Sequence, residues 1–214
     1  MSPKDRPKSP RIRLFVALEL PDTFLDPLVS WREEAFASRR ELRLPSRYSL
    51  HVTLAFLGYQ YERDIEKIAE ASFSDGGAPF GLKATDVTEV PPRRPRLYAV
   101  GLEDAGEKLT AWQGKLAERL QSGGFYEPEK REFWPHITIA RFKQTERHRP
   151  GGGARGGAHG RGGAADQPEP MPELPDELRK PFETGRLTLF KSTLRPQGAE
   201  YEPLKRVELS AGES

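Results

Sequence analysis

One six-residue pattern, written twice, constrains this chain more than any other feature. His51-Val52-Thr53-Leu54-Ala55-Phe56 comes first, and His136-Ile137-Thr138-Ile139-Ala140-Arg141 follows 85 residues later. Apolar, often β-branched residues at alternate positions after each His are the signature of a strand. Side chains at i and i+2 of a strand share a face. His51 and Thr53 are therefore expected to point one way, with Val52, Leu54 and Phe56 pointing into a core. His136 and Thr138 repeat this over Ile137 and Ile139. The chain is expected to build one half-site and then build it again.

The flanking segments repeat as well. Residues 12–20 read as a mostly buried strand, and a helix follows with Asp22 as N-cap and Phe24, Leu25, Leu28, Val29 and Phe36 as its apolar stripe. Gly58 is expected to close the first His strand. A helix is expected over 63–73 and a strand over 80–90. An exposed basic loop, 91–96, precedes a strand over 97–102. A helix over 104–121 carries Leu109, Trp112, Leu116 and Leu120 on one stripe. Sliding the chain by 85 lays strand 12–20 on 97–105, helix on helix and His strand on His strand, a repeat of pattern rather than of sequence. Strands around 184–194 and 199–209 read as a hairpin. Between them and the second His strand, eight of the sixteen residues 150–165 are Gly. Such a stretch has little to bury, so about 145–175 is expected to be disordered. The rest reads as one bilobal domain over 11–209, between a flexible basic tail at 1–10 and a short tail at 210–214.

Two imidazoles facing one cleft suit paired acid–base catalysis, because an unperturbed His titrates near pH 6.5. One can take a proton while the other gives one. A Thr hydroxyl beside each His can hydrogen-bond an anionic oxygen, so a phosphate between the imidazoles is the natural substrate. No cysteine is present, which excludes thiolate metal sites and a Cys nucleophile. No His/Asp/Glu triple stands at ligand spacing near either motif, so no metal and no cofactor is expected. His148 and His159 fall in or beside the Gly-rich loop and are read as irrelevant. Strict alternation puts Arg141 on the face opposite His136, whereas a bulge would return it to the cleft; the residues leave both open. Net charge is only +2, so any affinity for nucleic acid must come from local clusters. Arg93, Arg94 and Arg96 form one, which reads equally as solvated surface or as RNA contact; Arg149, Arg155 and Arg161 punctuate the Gly-rich loop, whose Arg-Gly-Gly character is only a weak pointer to RNA. No apolar run approaches the roughly 18 residues that span a membrane, and the N-terminus lacks a signal-peptide core. A cytoplasmic protein away from membranes is expected.

At these motifs the sequence resembles the two-histidine (2H) phosphoesterase superfamily, and within it the RNA 2′,3′-cyclic phosphodiesterases formerly called 2′-5′ RNA ligases. Arg13-Leu14-Phe15-Val16-Ala17, the His51–Gly58 block, Pro135–Arg141, Leu189–Ser192 and Tyr201–Leu204 carry the likeness. The resemblance implies a bilobal α+β fold, two pseudo-twofold lobes whose antiparallel sheets line a central cleft with helices outside. It implies metal-independent hydrolysis of cyclic RNA ends to 2′-phosphates, by a monomer, with tRNA fragments among the candidate substrates. His51 would be the proton donor, His136 the acceptor, and Thr53, Thr138 and Arg141 the phosphate ligands. Joining or cleaving 2′-5′ linkages, and noncatalytic RNA binding in the same cleft, are the competing readings.

Overall fold

The computed structural model describes residues 9–143, 170–196 and 198–210. Strand β1 (Arg11–Glu19) leads to helix α1 (Asp22–Ala35) and a two-residue strand, β2 (Leu42–Arg43). The first His strand is β3 (His51–Tyr61), and helix α2 (Ile65–Phe73) follows it. Strands β4 (Phe80–Val90) and β5 (Leu97–Asp104) precede helix α3 (Lys108–Ser122) and the second His strand, β6 (His136–Phe142). Short β7 (Phe182–Thr184) and the hairpin β8 (Arg186–Arg195) and β9 (Gly198–Glu208) complete the order. The stripe expected on α3 is buried residue for residue. On α1 the structure corrects one detail. Pro21, not Asp22, is the N-cap residue, and Asp22 lies in the first turn with its carboxylate accepting a 2.7 Å bond from Arg47.

All strand pairs are antiparallel, in the order β7-β4-β5-β6-β3-β1-β8-β9, with β2 pairing β6. What was expected as separate lobe sheets is thus one continuous sheet. Its halves meet at a single ladder pair, Val52 with Ile137. These two residues are equivalents in the repeat, so a pseudo-twofold axis runs through the joint. Helices cover one face, where Leu14, Val16, Leu18, Val52, Ile137, Leu187 and Leu189 join Leu28, Ile68 and Leu116 in the main core. The other face holds the histidines.

Both His strands carry a bulge at equivalent positions. Val16 and Ala17 pair with Ala55 and Thr53, which leaves Leu54 over; Tyr98 and Ala99 pair with Ala140 and Thr138, which leaves Ile139 over. A bulge inserts one residue and so reverses the side-chain alternation beyond it. Two expectations change for this reason. Phe56 does not enter the core but lies 39% exposed, on the His51 face. Arg141 lies on the His136 face. A second irregularity skips Leu57, and Gly58, with φ at +65°, carries β3 on to Tyr61 instead of ending it. That left-handed backbone favours glycine. The register also corrects the repeat itself. His51 pairs with Glu19 and His136 with Gly101, so the inner strands superpose on an offset of 82 while the His strands superpose on 85.

A bulge leaves backbone groups without ladder partners, and buried ones need substitutes. Here the substitutes come crosswise. Arg32 of α1 donates from Nη1 to Ile139 O at 3.4 Å and to Pro45 O at 2.9 Å. Gln113 of α3 donates to Leu54 O at 3.0 Å. Each half's helix therefore caps the bulge of the other half's His strand.

Residues 170–175 are not the continuation of disorder that their Pro and Glu content predicts; the remainder of that loop lies outside the described residues. Leu174 and Leu178 are buried. Pro170 O accepts from Arg39 at 2.7 Å, Glu173 O from Trp31 at 3.1 Å and Leu174 O from Arg179 at 3.3 Å. Two leucines and three side-chain donors give an irregular segment what composition does not register. The N-terminal tail is likewise held at its described end, where Pro10 O accepts from Glu62 N and Ser9 Oγ from Arg63 N.

Candidate active site

The joint between the sheet halves places the two motifs together. With Val52 opposite Ile137, the antiparallel register sets His51 across from Thr138 and Thr53 across from His136. Each Thr is therefore nearer the other motif's His than its own, since direct cross-strand neighbours stand about 5 Å apart and i, i+2 neighbours about 7 Å. The half-sites expected from sequence are interlocked, not separate. All four residues are partly exposed and face away from the buried Val52 and Ile137. Arg141 completes the group, because the Ile139 bulge turns it to this face and its charge acts on His51.

The surroundings of the two histidines differ. Phe15 stacks on His51 with ring centroids 4.9 Å apart, and Tyr201 meets His51 edge-on at 5.4 Å. Phe190 stacks on Phe15 at 5.1 Å. With Ala17 these rings form a small apolar cluster on the cleft face, apart from the main core. His51 Nδ1 is buried near the Ser49 backbone. Burial, first, and then the Arg141 charge push the His51 pKa down to about 4, with a lesser push from His136; only the backbone of Ser49 acts in the other direction. At neutral pH the free His51 imidazole is uncharged. Glu19, its ladder partner, has its carboxylate bound by Thr188 Oγ1 and, at 2.8 Å, by Arg206.

His136 lies flat against Trp134, ring centroids 4.4 Å apart and planes 15° from parallel, with Nδ1 2.8 Å from Trp134 O. That carbonyl can only accept, so Nδ1 is the donor in this bond and Nε2 is the ring nitrogen left uncommitted. Gly101 opposite makes room: a Cβ there would stand 2.7 Å from Thr85 Oγ1 and 3.5 Å from the Trp134 ring.

The structure brings both His, both Thr and Arg141 to one face, together with aromatic walls and caps that the sequence reading does not contain. A signal existed for each. Strand 12–20 carries Phe15 and Ala17 on the face opposite Leu14, Val16 and Leu18, which asks for a cover on the cleft side as well. Arg32 and Gln113 are polar residues on otherwise apolar helix stripes. The loop with Arg93, Arg94 and Arg96 borders the end of β6, where Phe142 N donates to Arg96 O. His148, His159, Arg149, Arg155 and Arg161 lie outside the described residues. Among the described residues no group of three or more His, Asp or Glu is placed to hold a metal, and no helix is long and apolar enough to cross a membrane.

Two His-x-Thr strands are thus paired about a pseudo-twofold, with Arg141 on the same face. The family profile described as LigT-like phosphoesterase matches residues 18–97 of this chain. A Methanocaldococcus jannaschii protein named RNA 2′,3′-cyclic phosphodiesterase is 23% identical over 201 residues, covering 91% of this chain and 99% of its own. Its namesake from Archaeoglobus fulgidus is 25% identical over 205 residues, 92% and 100% of the two chains. The crystal structure of Escherichia coli LigT without ligand superposes with a TM-score of 0.70 at 22% identity, over 95% of this chain and all of that one. The fold is theirs, α+β with antiparallel strands lining the cleft.

Proposed function

We propose that this chain hydrolyses 2′,3′-cyclic phosphodiester ends of RNA to 2′-phosphomonoesters without a metal. The observation that carries this is the interlocked quartet of His51, Thr53, His136 and Thr138 around one ladder pair, with Arg141 turned to the same face by a bulge. The names of the archaeal relatives support the reaction class. In this reading Thr53, Thr138 and Arg141 hold the phosphate oxygens. His136 takes a proton from water through Nε2 as the water oxygen bonds to phosphorus. The bond from phosphorus to O3′ breaks, and His51 protonates the departing oxygen. Each positioned proton transfer contributes about 10²–10⁴-fold in rate.

The donor role asks something particular of His51. Its neutral resting state follows from burial and from Arg141. A phosphate anion seated between them offsets the Arg141 charge and favours the imidazolium, so His51 takes up its proton as substrate binds. The test is incubation of the purified protein with a 2′,3′-cyclic-phosphate oligonucleotide in EDTA, followed by analysis of the product end. A 2′-phosphate is expected. A 3′-phosphate would reverse the regiochemistry, and loss of activity to the chelator would refute the metal-free mechanism.

A further inference from the structure

Beyond the catalytic quartet, the cleft face of the β3 half continues as a row of aromatic and basic side chains that the reaction does not use. On β3 the residues on this face are Phe56, Tyr59 and Tyr61; on β1 they are Arg13 and Arg11, opposite Tyr59 and Tyr61 in the register. Tyr59 is 56% exposed, and Phe56 and Tyr61 are each 39% exposed. Isolated surface aromatics are ordinary, but three in a row on one strand face are not. The Arg13 guanidinium lies 4.5 Å over the Phe56 ring, and those of Arg11 and Arg63 lie 5.4 and 4.7 Å over that of Tyr61. Arg11 also donates to Tyr59 O at 2.7 Å. Among the described residues neither Arg11 nor Arg13 has a carboxylate partner. No acidic residue occupies the cleft face of β1, β3, β8 or β9 on this side of His51: the paired positions are Phe15, Phe190, Ser192, Leu194, Tyr201 and Ala199. The carboxylate at the other end, Glu19, is already held by Thr188 and Arg206.

Stacking rings and uncompensated cations in one line are what a single strand of nucleic acid needs, because every base has a π face and every step a phosphate. We propose that this row is a track for the body of a single-stranded RNA whose cyclic end lies between His51 and His136. The proposal rests on the hydrolase reading and extends it: the preferred substrate is an oligonucleotide with several unpaired residues before its end. The row reaches roughly 25–30 Å from His51, at about 3.3 Å per strand residue. A mononucleotide at the quartet cannot touch Tyr59 or Tyr61. Phosphate contacts by Arg11 and Arg13 fix no sequence, and ring stacking tolerates all four bases, so the track favours single-strandedness rather than a motif.

The experiment compares the wild-type chain with a Tyr59→Ala/Tyr61→Ala variant and an Arg11→Gln/Arg13→Gln variant. Each is first checked for an unchanged melting temperature, then assayed on a 12-mer ending in a 2′,3′-cyclic phosphate and on 2′,3′-cyclic AMP. The tyrosine variant is expected to raise KM for the 12-mer at least tenfold and to leave KM for cyclic AMP within twofold. The arginine variant is expected to flatten the salt dependence of 12-mer binding by about 1.4 in the log–log slope, at about 0.7 per contact on a single strand. Equal KM values for the 12-mer in all three proteins would overturn the track. Should the wild type turn over neither substrate, the hydrolase reading fails, and fluorescence anisotropy with the same 12-mer still decides: unaltered affinity in both variants overturns the track as well. A wild type that self-associates in sedimentation while the tyrosine variant stays monomeric, with equal RNA affinity, assigns the row to a protein interface instead.

Discussion

The two histidines share a motif, a strand position and a symmetry axis, yet their surroundings are opposite. His51 is enclosed by Phe15 and Tyr201, and its pKa falls to about 4. His136 rests open on Trp134 with Nδ1 committed to a carbonyl. The strand pairing fixes where each imidazole stands. The residues around it fix the environment it meets there. The repeat thus supplies two equivalent positions, and the residues around them supply two environments.

The largest expected effect tests whether both positions are needed. His51→Ala and His136→Ala should each reduce kcat/KM on a cyclic-ended oligonucleotide by about 10²–10⁴-fold, and steady-state assays of both variants check this. Equal residual rates with and without one imidazole would reduce the pair to a single catalytic group.

Next comes Arg141→Gln. It should weaken substrate binding by about tenfold or more, as expected for loss of a charge-assisted contact. It should also raise the His51 pKa, since Arg141 is the second cause of its depression after burial. An NMR titration of the His51 ring, before and after adding inorganic phosphate, separates the two contributions. The same titration in wild type is expected to move upward when phosphate is added.

A smaller effect probes the crossed caps. Arg32→Met and Gln113→Met each strand a bulge carbonyl, at a cost of about 1–3 kcal/mol in folding free energy. Only Arg32→Met should also lower kcat/KM, because Ile139 sets the direction of Arg141 whereas Leu54 sets that of Phe56. Denaturant unfolding and steady-state kinetics on both variants distinguish the caps.

The smallest effect concerns pH. The unfolded chain protonates His51 near pH 6.5, while the folded one resists until about 4. Stability is therefore unaffected by this group above pH 6.5 and declines as pH falls toward 4. A His51→Leu variant should lose about 1–3 kcal/mol less than wild type over that window, measured by urea unfolding at each pH.

Much of this was legible in the sequence. The 3.6-residue stripe of α3, the alternation of β4 and the paired His-x-Thr strands are periodic signals, and periodicity survives folding. The bulges were not legible, because their partners lie far along the chain: Gln113 is 59 residues from Leu54, and Arg32 is 107 from Ile139. A period-two reading continues through a bulge without any sign of error. It sent Phe56 into the core and left Arg141 undecided, and it placed each Thr beside its own His. Gly58 was read as a stop for the same reason, since nothing local distinguishes a strand's end from a strand's kink. The segment 170–175 escaped notice because two buried leucines and three donors elsewhere in the chain hold it.

The order of strands has a consequence for how the cleft comes into being. The first His strand is backed by β1, and β1 is closed on its other side by β8, so Glu19 meets Thr188 across 169 residues. Pairings over such separations form slowly, since the intervening chain must be gathered before they yield any stabilisation. During synthesis His51 is made well over a hundred residues before Phe190 and Tyr201, the rings that help to bury it. A nascent chain halted after the second His strand and before the β8–β9 hairpin carries both histidines and lacks the rings that enclose one of them.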